Sequence, residues 1–301
     1  MSAAWREQRE RSTPFMLRLI VGVARRAGRR ATRWLLIPIV GYFLLTGGAA
    51  RRASREFLRR ALGREPTWRD VVRHFHAFAS CALDRVFLLG DRHTAFDIRS
   101  IRDPGIPDPE HRGCVVIVSH LGSFEVMRVP GVRDENLPIR IVMDRSQNPA
   151  MTAMLEALDP ALAADVIDSA VGGPTLLVQL KAALQAGHLV GLMGDRVRGA
   201  ERTAAVEFFG ERAHLPVTPW ILAGTLKVPV LLGFGLYRGG DRYDVHYERY
   251  SDALDLPREQ RQAALERHLQ AYAARLEHHA RSAPYNWFNF YPFWTHEPAS
   301  D

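Results

Sequence analysis

The chain is 301 residues long and 47% apolar, and its net charge of +7 sits almost wholly in one fifth of its length. Residues 1–60 hold fourteen arginines against Glu7, Glu10 and Glu56, a local charge of +11, which leaves the remaining 241 residues at −4. A mildly acidic body argues against nucleic-acid binding, because a phosphate-tracking surface carries its own basic stripe, and two cysteines cannot make a disulfide framework.

The first sixty residues read as a membrane-associated helical segment. Phe15 to Ala24 is amphipathic, with arginines beyond it, as an interfacial helix would be. Trp34 to Ala50 is a seventeen-residue uncharged run. As helix it would measure about 25 Å, short of a hydrocarbon layer of roughly 30 Å, and Pro38 and Gly47-Gly48 weaken it further. Five arginines precede it (Arg25, Arg26, Arg29, Arg30, Arg33) and five follow (Arg51, Arg52, Arg55, Arg59, Arg60). A spanning helix shows an asymmetry of flanking charge. Equal flanks favour a shallow or re-entrant insertion over a short tilted span, with anionic headgroups as the counter-charge. Arginines in place of a processing site argue against a cleaved signal peptide.

The body alternates. Phe57 to Leu89 has helical periodicity, with Trp68, Val71, Val72, Phe75, Phe78, Ala79 and Ala82 as its apolar stripe. Pro104, Pro107 and Pro109 then break the chain. Cys114–Val118 reads as a buried strand, followed by a helix near Phe124–Val129 and a strand at Ile139–Met143. A helix at 150–158, a short strand at 166–167 and a helix from Gly172-Gly173-Pro174 to about 186 come next. Strands follow at Leu189–Met193 and Val206–Phe209, then a helix at 216–226. Two strands, 229–237 and 242–250, join at Gly239-Gly240. A long helix at 257–281 precedes a tail, Pro284–Trp294, with seven aromatics in eleven residues. Cys81 and Cys114 read as reduced packing residues. The pattern predicts one α/β domain over 57–301, a largely parallel central sheet flanked by helices, after a membrane-associated segment at 1–56.

The most informative motif is His120-Leu-Gly-Ser-Phe-Glu125 at the end of the first buried strand. Were it all helical, five residues would place His120 and Glu125 roughly 140° apart. They can meet only if His120 sits on a loop and Glu125 in the first helical turn after it. A carboxylate there is favoured by the helix N-terminus and would fix the histidine tautomer and raise its basicity, suiting the ring to take a proton from a hydroxyl. In open α/β sheets ligands gather beyond the carboxyl ends of strands. Two further polar clusters lie at such ends: Asp144-Arg145 with Asn148-Pro149, and Gly194-Asp195-Arg196. Taken singly, Asp195-Arg196 could be a surface ion pair and Arg145 a solvent-facing side chain. No metal site is read, because the chain lacks His-Glu-x-x-His spacing.

These motifs resemble the lysophospholipid acyltransferase superfamily, and within it the late (lauroyl/myristoyl) acyltransferases of lipid A biosynthesis. The likeness rests on His120-Leu-Gly-Ser-Phe-Glu125, Met143-Asp-Arg-Ser-Gln-Asn-Pro149, Val190-Gly-Leu-Met-Gly-Asp-Arg196, Val206-Glu-Phe-Phe-Gly210 with Leu215-Pro216, and the N-terminal membrane segment, in that family's order. The resemblance implies His120 as general base with Glu125 behind it. It also implies an acyl carrier protein or CoA thioester as donor substrate with no further cofactor, a membrane lipid or glycolipid hydroxyl as acceptor, and a place on the cytoplasmic face of a bacterial inner membrane. Backbone N–H groups at Gly122-Ser123, or the side chains of Arg145 or Arg196, would receive the oxyanion, and an arginine could equally bind an acceptor phosphate, with Asn148 and Asp195 beside them. Arg196 stands where those enzymes usually have glutamine. The aromatic tail looks more like relatives associated with aryl-polyene or xanthomonadin-type pigments. The alternatives are therefore the same chemistry on a polyene or other lipid acceptor, or a non-catalytic, membrane-anchored lipid-binding protein.

Overall fold

The computed structural model describes residues 14–89, 95–104, 106, 113–129, 139–197 and 201–294. Pro107 and Pro109 lie outside these residues. Helix α1 (Pro14–Thr46) is broken at Gly28, and α2 (Gly48–Leu62) follows after a single residue. The apolar run therefore divides at Gly47, where the chain bends by 96°. A Cβ on Gly47 would stand 2.5 Å from the Phe43 carbonyl oxygen, so the bend admits only glycine. No single helix among the described residues is long and apolar enough to cross a membrane, although Gly28–Thr46 and Gly48–Leu62 together would suffice for a broken span or a re-entrant loop.

The stretch read as one helix from Phe57 is two. Gly63 ends α2 in the left-handed conformation (φ 65°), and α3 (Trp68–Leu88) starts on a capping box in which Thr67 and Asp70 satisfy each other's backbone. Position 56, the expected boundary, lies inside α2, whose Phe57 and Leu58 are fully buried.

Nine strands follow among the described residues: β1 (Asp97–Arg102), β2 (Cys114–Gly122), β3 (Ile139–Met143), β4 (Ile167–Asp168), β5 (Leu189–Met193), β6 (Thr203–Phe208), β7 (Glu211–Pro216), β8 (Val230–Gly239) and β9 (Arg242–Ser251). Seven form a sheet in the order β1-β9-β8-β2-β5-β3-β4, parallel throughout except for the β8–β9 hairpin. β6 and β7 make a separate antiparallel hairpin. Neither β1 nor β7 was expected. β1 carries charge at Asp97, Arg99 and Arg102, as a solvated edge strand does.

Around the sheet lie α4 (Pro149–Leu158), α5 (Pro160–Asp165), α6 (Gly173–Gln185), α7 (Thr218–Leu226) and α8 (Arg261–Ser282). β2 is apolar on both sides because both its faces are covered. Val115, Ile117 and Leu121 point into the layer built by α2, α6, α7 and α8, while Cys114, Val116 and Val118 point towards α3, α4 and α5. Leu265, Leu269, Tyr272, Leu276 and Ala280 recur along α8 at three- and four-residue spacing and are fully buried. The chain is thus a single mixed α/β domain, its mostly parallel sheet between helical layers. Beyond α8 the aromatic tail returns across the carboxyl end of β2, where Leu121 and Trp287 form an antiparallel bridge.

Candidate active site

β2 and β5 run parallel in a register that sets Cys114 against Leu189 and Val118 against Met193. Extending that offset of 75 beyond the last paired residues brings His120, which lies within β2 rather than on the expected loop, opposite Asp195, and there the two side chains meet. His120 Nδ1 lies 2.8 Å from Asp195 Oδ1, and the His120 backbone N–H donates to Oδ2 at 2.9 Å. One carboxylate thus grips both the main chain and the ring of the same residue. A third donor, the Trp287 indole N–H, reaches Oδ2 at 3.0 Å. Asp195 is completely buried, whereas the His120 side chain is 26% exposed. Burial by itself would push the Asp195 carboxyl up. The His120 charge and hydrogen bonds, with Arg196 nearby, outweigh it and hold the group at about 2. An ionised aspartate accepts only, so the Nδ1 facing it carries the proton and the basic lone pair lies on Nε2.

This corrects the expected pairing. The Nδ1 hydrogen bond goes to Asp195, and Glu125 has other partners. Glu125 opens a 3₁₀ turn (Glu125–Met127), is buried, accepts from Ser123 Oγ at 2.7 Å and forms an ion pair with Arg85 of α3. Its carboxylate secures the turn that leaves His120 rather than the ring itself.

The expected oxyanion donors are also redistributed. The Gly122 N–H donates to Asn286 O and the Ser123 N–H to Gly235 O, each at 2.8 Å. The strand end lies so close to β8 that a Cβ on Gly122 (φ 73°) would stand 1.9 Å from the Gly235 carbonyl oxygen. Position 122 therefore requires glycine, though for packing rather than for binding an anion. Arg145 is level with Asp195 but two strands from His120, about 10 Å at sheet spacing. Its guanidinium turns to Glu156 (2.7 Å) and the Ala163 carbonyl (3.4 Å), and Asn148 Nδ2 donates to the Asp144 carbonyl. Arg196 stays at the site. Its Nη2 donates to Phe288 O at 2.6 Å, and its guanidinium faces the Tyr291 ring. The described hydrogen bonds use one of its five N–H donors.

The tail, in which sequence reasoning weighed core packing against a grip on substrate, completes the site through Trp287, a residue that reasoning did not single out. Phe288 N–H donates to His120 O, Asn286 pairs through its side chain with both backbone groups of Tyr237, and Tyr285 OH donates to Asp70. Trp287 is buried among Phe57, Phe208 and Phe293. The signal that could have exposed its role was an indole, which is donor-only, in a segment too apolar to be solvated.

A partly exposed imidazole, its Nδ1 held by a buried carboxylate at the carboxyl edge of a parallel sheet, is an arrangement able to take a proton from a hydroxyl. The family model of the bacterial lipid A biosynthesis acyltransferases matches residues 108–296, more than half of the chain, and the chain belongs to that family. It is an acyltransferase of the class that serves lipid A-type acceptors. No curated relative matches it.

Proposed function

We propose that the protein transfers a fatty acyl group from a carrier-protein or CoA thioester to a hydroxyl of a lipid A-type glycolipid, with His120 as general base oriented by Asp195. The observation that carries this reading is the His120–Asp195 pair, which sets the tautomer so that Nε2 is the base. His120 Nε2 takes the acceptor O–H proton as the oxygen attacks the thioester carbonyl carbon. The tetrahedral oxyanion collapses with cleavage of the C–S bond, and the departing sulfur receives the proton from the imidazolium. Arg196, beside Asp195, supplies N–H donors to the oxyanion. Neither cysteine serves as a nucleophile: Cys81 and Cys114 are buried, and desolvation raises both thiols.

The same proposal sets the reaction at a membrane surface. Of the exposed large hydrophobic side chains among the described residues, six (Trp34, Leu35, Ile37, Tyr42, Phe43, Leu45) cluster on the second half of α1. They stand next to the arginines of α2, of which Arg52, Arg55 and Arg59 are exposed. That combination suits shallow insertion with arginines at the headgroups.

Purified His120→Ala should lose transfer of a dodecanoyl group from acyl carrier protein to a lipid A precursor by at least about 10³-fold, as general-base removal does, while its thermal transition stays near that of the wild type. Wild-type turnover in this variant would refute the assignment. Comparing total lipids of a deletion strain with those of its complement identifies the acceptor: a mass loss in a polyene lipid instead of lipid A would move the acceptor to the pigment-associated branch.

A further inference from the structure

Ser54, His74, Trp287, Asp195 and His120 are linked in series by hydrogen bonds that pass through the main chain and the indole of Trp287. Ser54 on α2 meets His74 Nδ1 at 2.8 Å, and His74 Nε2 meets the Trp287 carbonyl oxygen at 2.9 Å. The Trp287 indole then bonds Asp195, which bonds His120. Ser54, His74 and Asp195 are fully buried, and Trp287 is nearly so. A carbonyl only accepts, so His74 carries its proton on Nε2, and its Nδ1 accepts from the Ser54 hydroxyl. The directions of both bonds are therefore fixed. The His74 ring is clamped as well, tilted against Phe57 and stacked on Phe290 at 4.6 Å between centroids.

We infer that His74, with Ser54 behind it, is a positioning residue for the acyl-transfer site, fixing the Trp287 backbone so that its indole holds the Asp195 carboxylate against His120. The bridge to Leu121 ties the neighbours of Trp287 to β2, through Asn286 O and Phe288 N–H, but does not engage the Trp287 carbonyl. Trp287 O accepts from the Asn289 N–H two residues along the tail at 2.8 Å and also from His74, a side chain of another element, at the residue whose indole touches the carboxylate that holds His120. Ser54 and His74 both lie outside residues 108–296 that match the family, so the α2–α3 region contributes to a site whose other parts lie in the matched body. This inference rests on the proposed role of His120 and deepens it.

The test uses the full-length enzyme, dodecanoyl-acyl carrier protein and a lipid A precursor in micelles, with His120→Ala in the same series. Trp287→Phe, which removes only the indole donor, should lower kcat about tenfold or more, the loss expected for a hydrogen bond to a charged group, with KM unchanged. His74→Phe should do likewise, and His74→Gln, whose amide can donate to the carbonyl, should recover most of the loss. Ser54→Ala should show a smaller fall in the same parameter. Because His74 acts through Trp287, His74→Phe placed in Trp287→Phe should cost little more than Trp287→Phe alone. In the resting enzyme the far-downfield proton resonance of His120 Nδ1 should shift or broaden in both single variants, a readout that general loosening of the core would not move selectively. Should His74→Phe misfold, Ser54→Ala and Trp287→Phe carry the test. Unchanged kcat and resonance in these variants, or fully additive losses, overturn the inference. Wild-type activity in His120→Ala would instead overturn the proposed function.

Discussion

Asp195 is asked to accept three hydrogen bonds at once, from the His120 backbone, the His120 ring and the Trp287 indole. Only a carboxylate can do so, because both its oxygens accept. Asparagine in its place presents an NH₂ group to at least one donor, so either the ring changes tautomer or a buried donor loses its partner. Asp195→Asn should therefore reduce kcat by about 10³-fold or more, as tautomer errors do in comparable histidine–carboxylate pairs, with near-normal volume and packing. The check is steady-state kinetics alongside thermal denaturation; a kcat within threefold of wild type would mean that the aspartate does not set the ring. The sign of the acid dependence follows from the depressed carboxyl, held at about 2 in the fold. Its contribution to stability is complete above the ordinary carboxylate value near 4 and is lost as pH falls from there towards 2.

The elements show where the sequence was readable. β2, β5 and the α6 that precedes β5 were legible because each is a continuous apolar run or stripe bounded by glycine or proline, and local pattern decides such elements. Even the His120–Asp195 contact was latent there. The apolar runs Cys114–Val118 and Leu189–Met193 are equally long, and aligning them end to end sets His120 level with Asp195. The nearer carboxylate, Glu125, drew attention because spacing along the chain is visible whereas pairing between strands is not. Trp287 and His74 were illegible for a stronger reason: they meet through a tail without periodicity and a helix more than two hundred residues away. His74 also supplies a prediction for the α2–α3–tail contact. Burial holds its imidazole at about 4, the Trp287 carbonyl only partly offsetting it. A histidine depressed in the fold keeps its stabilising effect above the unfolded value of 6.5, and loses it as pH drops from there to about 4. The loss is on the order of 3 kcal/mol across that window. His74→Gln should abolish it, so that the stability difference between wild type and variant narrows on acidification. Parallel urea titrations at pH 7.5 and 4.5 give the comparison, and an unchanged difference would contradict a neutral, buried His74.

In the whole molecule, the bent α1–α2 pair is coupled to the body on its buried side and exposed on the other. Arg29 makes two hydrogen bonds to Asp84 of α3, at 2.7 and 2.8 Å, and Tyr243 of β9 donates to the same carboxylate at 2.8 Å. Leu36, Val40 and Leu44 face inward. Turned away from them, Trp34, Ile37, Tyr42 and Leu45 are 74, 58, 57 and 80% exposed. A rigid attachment on one side and an apolar face on the other mean that the surface taking up that face also fixes the orientation of the body. If it is a bilayer, replacing Trp34, Ile37 and Leu45 together with glutamate should leave folding intact, since none of the three is buried, and should weaken binding to vesicles of anionic phospholipid by at least about 100-fold through lost apolar burial and headgroup repulsion. Raising salt should weaken the wild type only in part, because screening reaches the arginine contribution and not the apolar one. Co-sedimentation with vesicles, with and without 0.5 M salt (about 4 Å of Debye length), separates the two. If the triple variant sediments as the wild type does, the exposed face of α1 is not the membrane contact. If the wild type is released completely by salt, the arginines act without insertion.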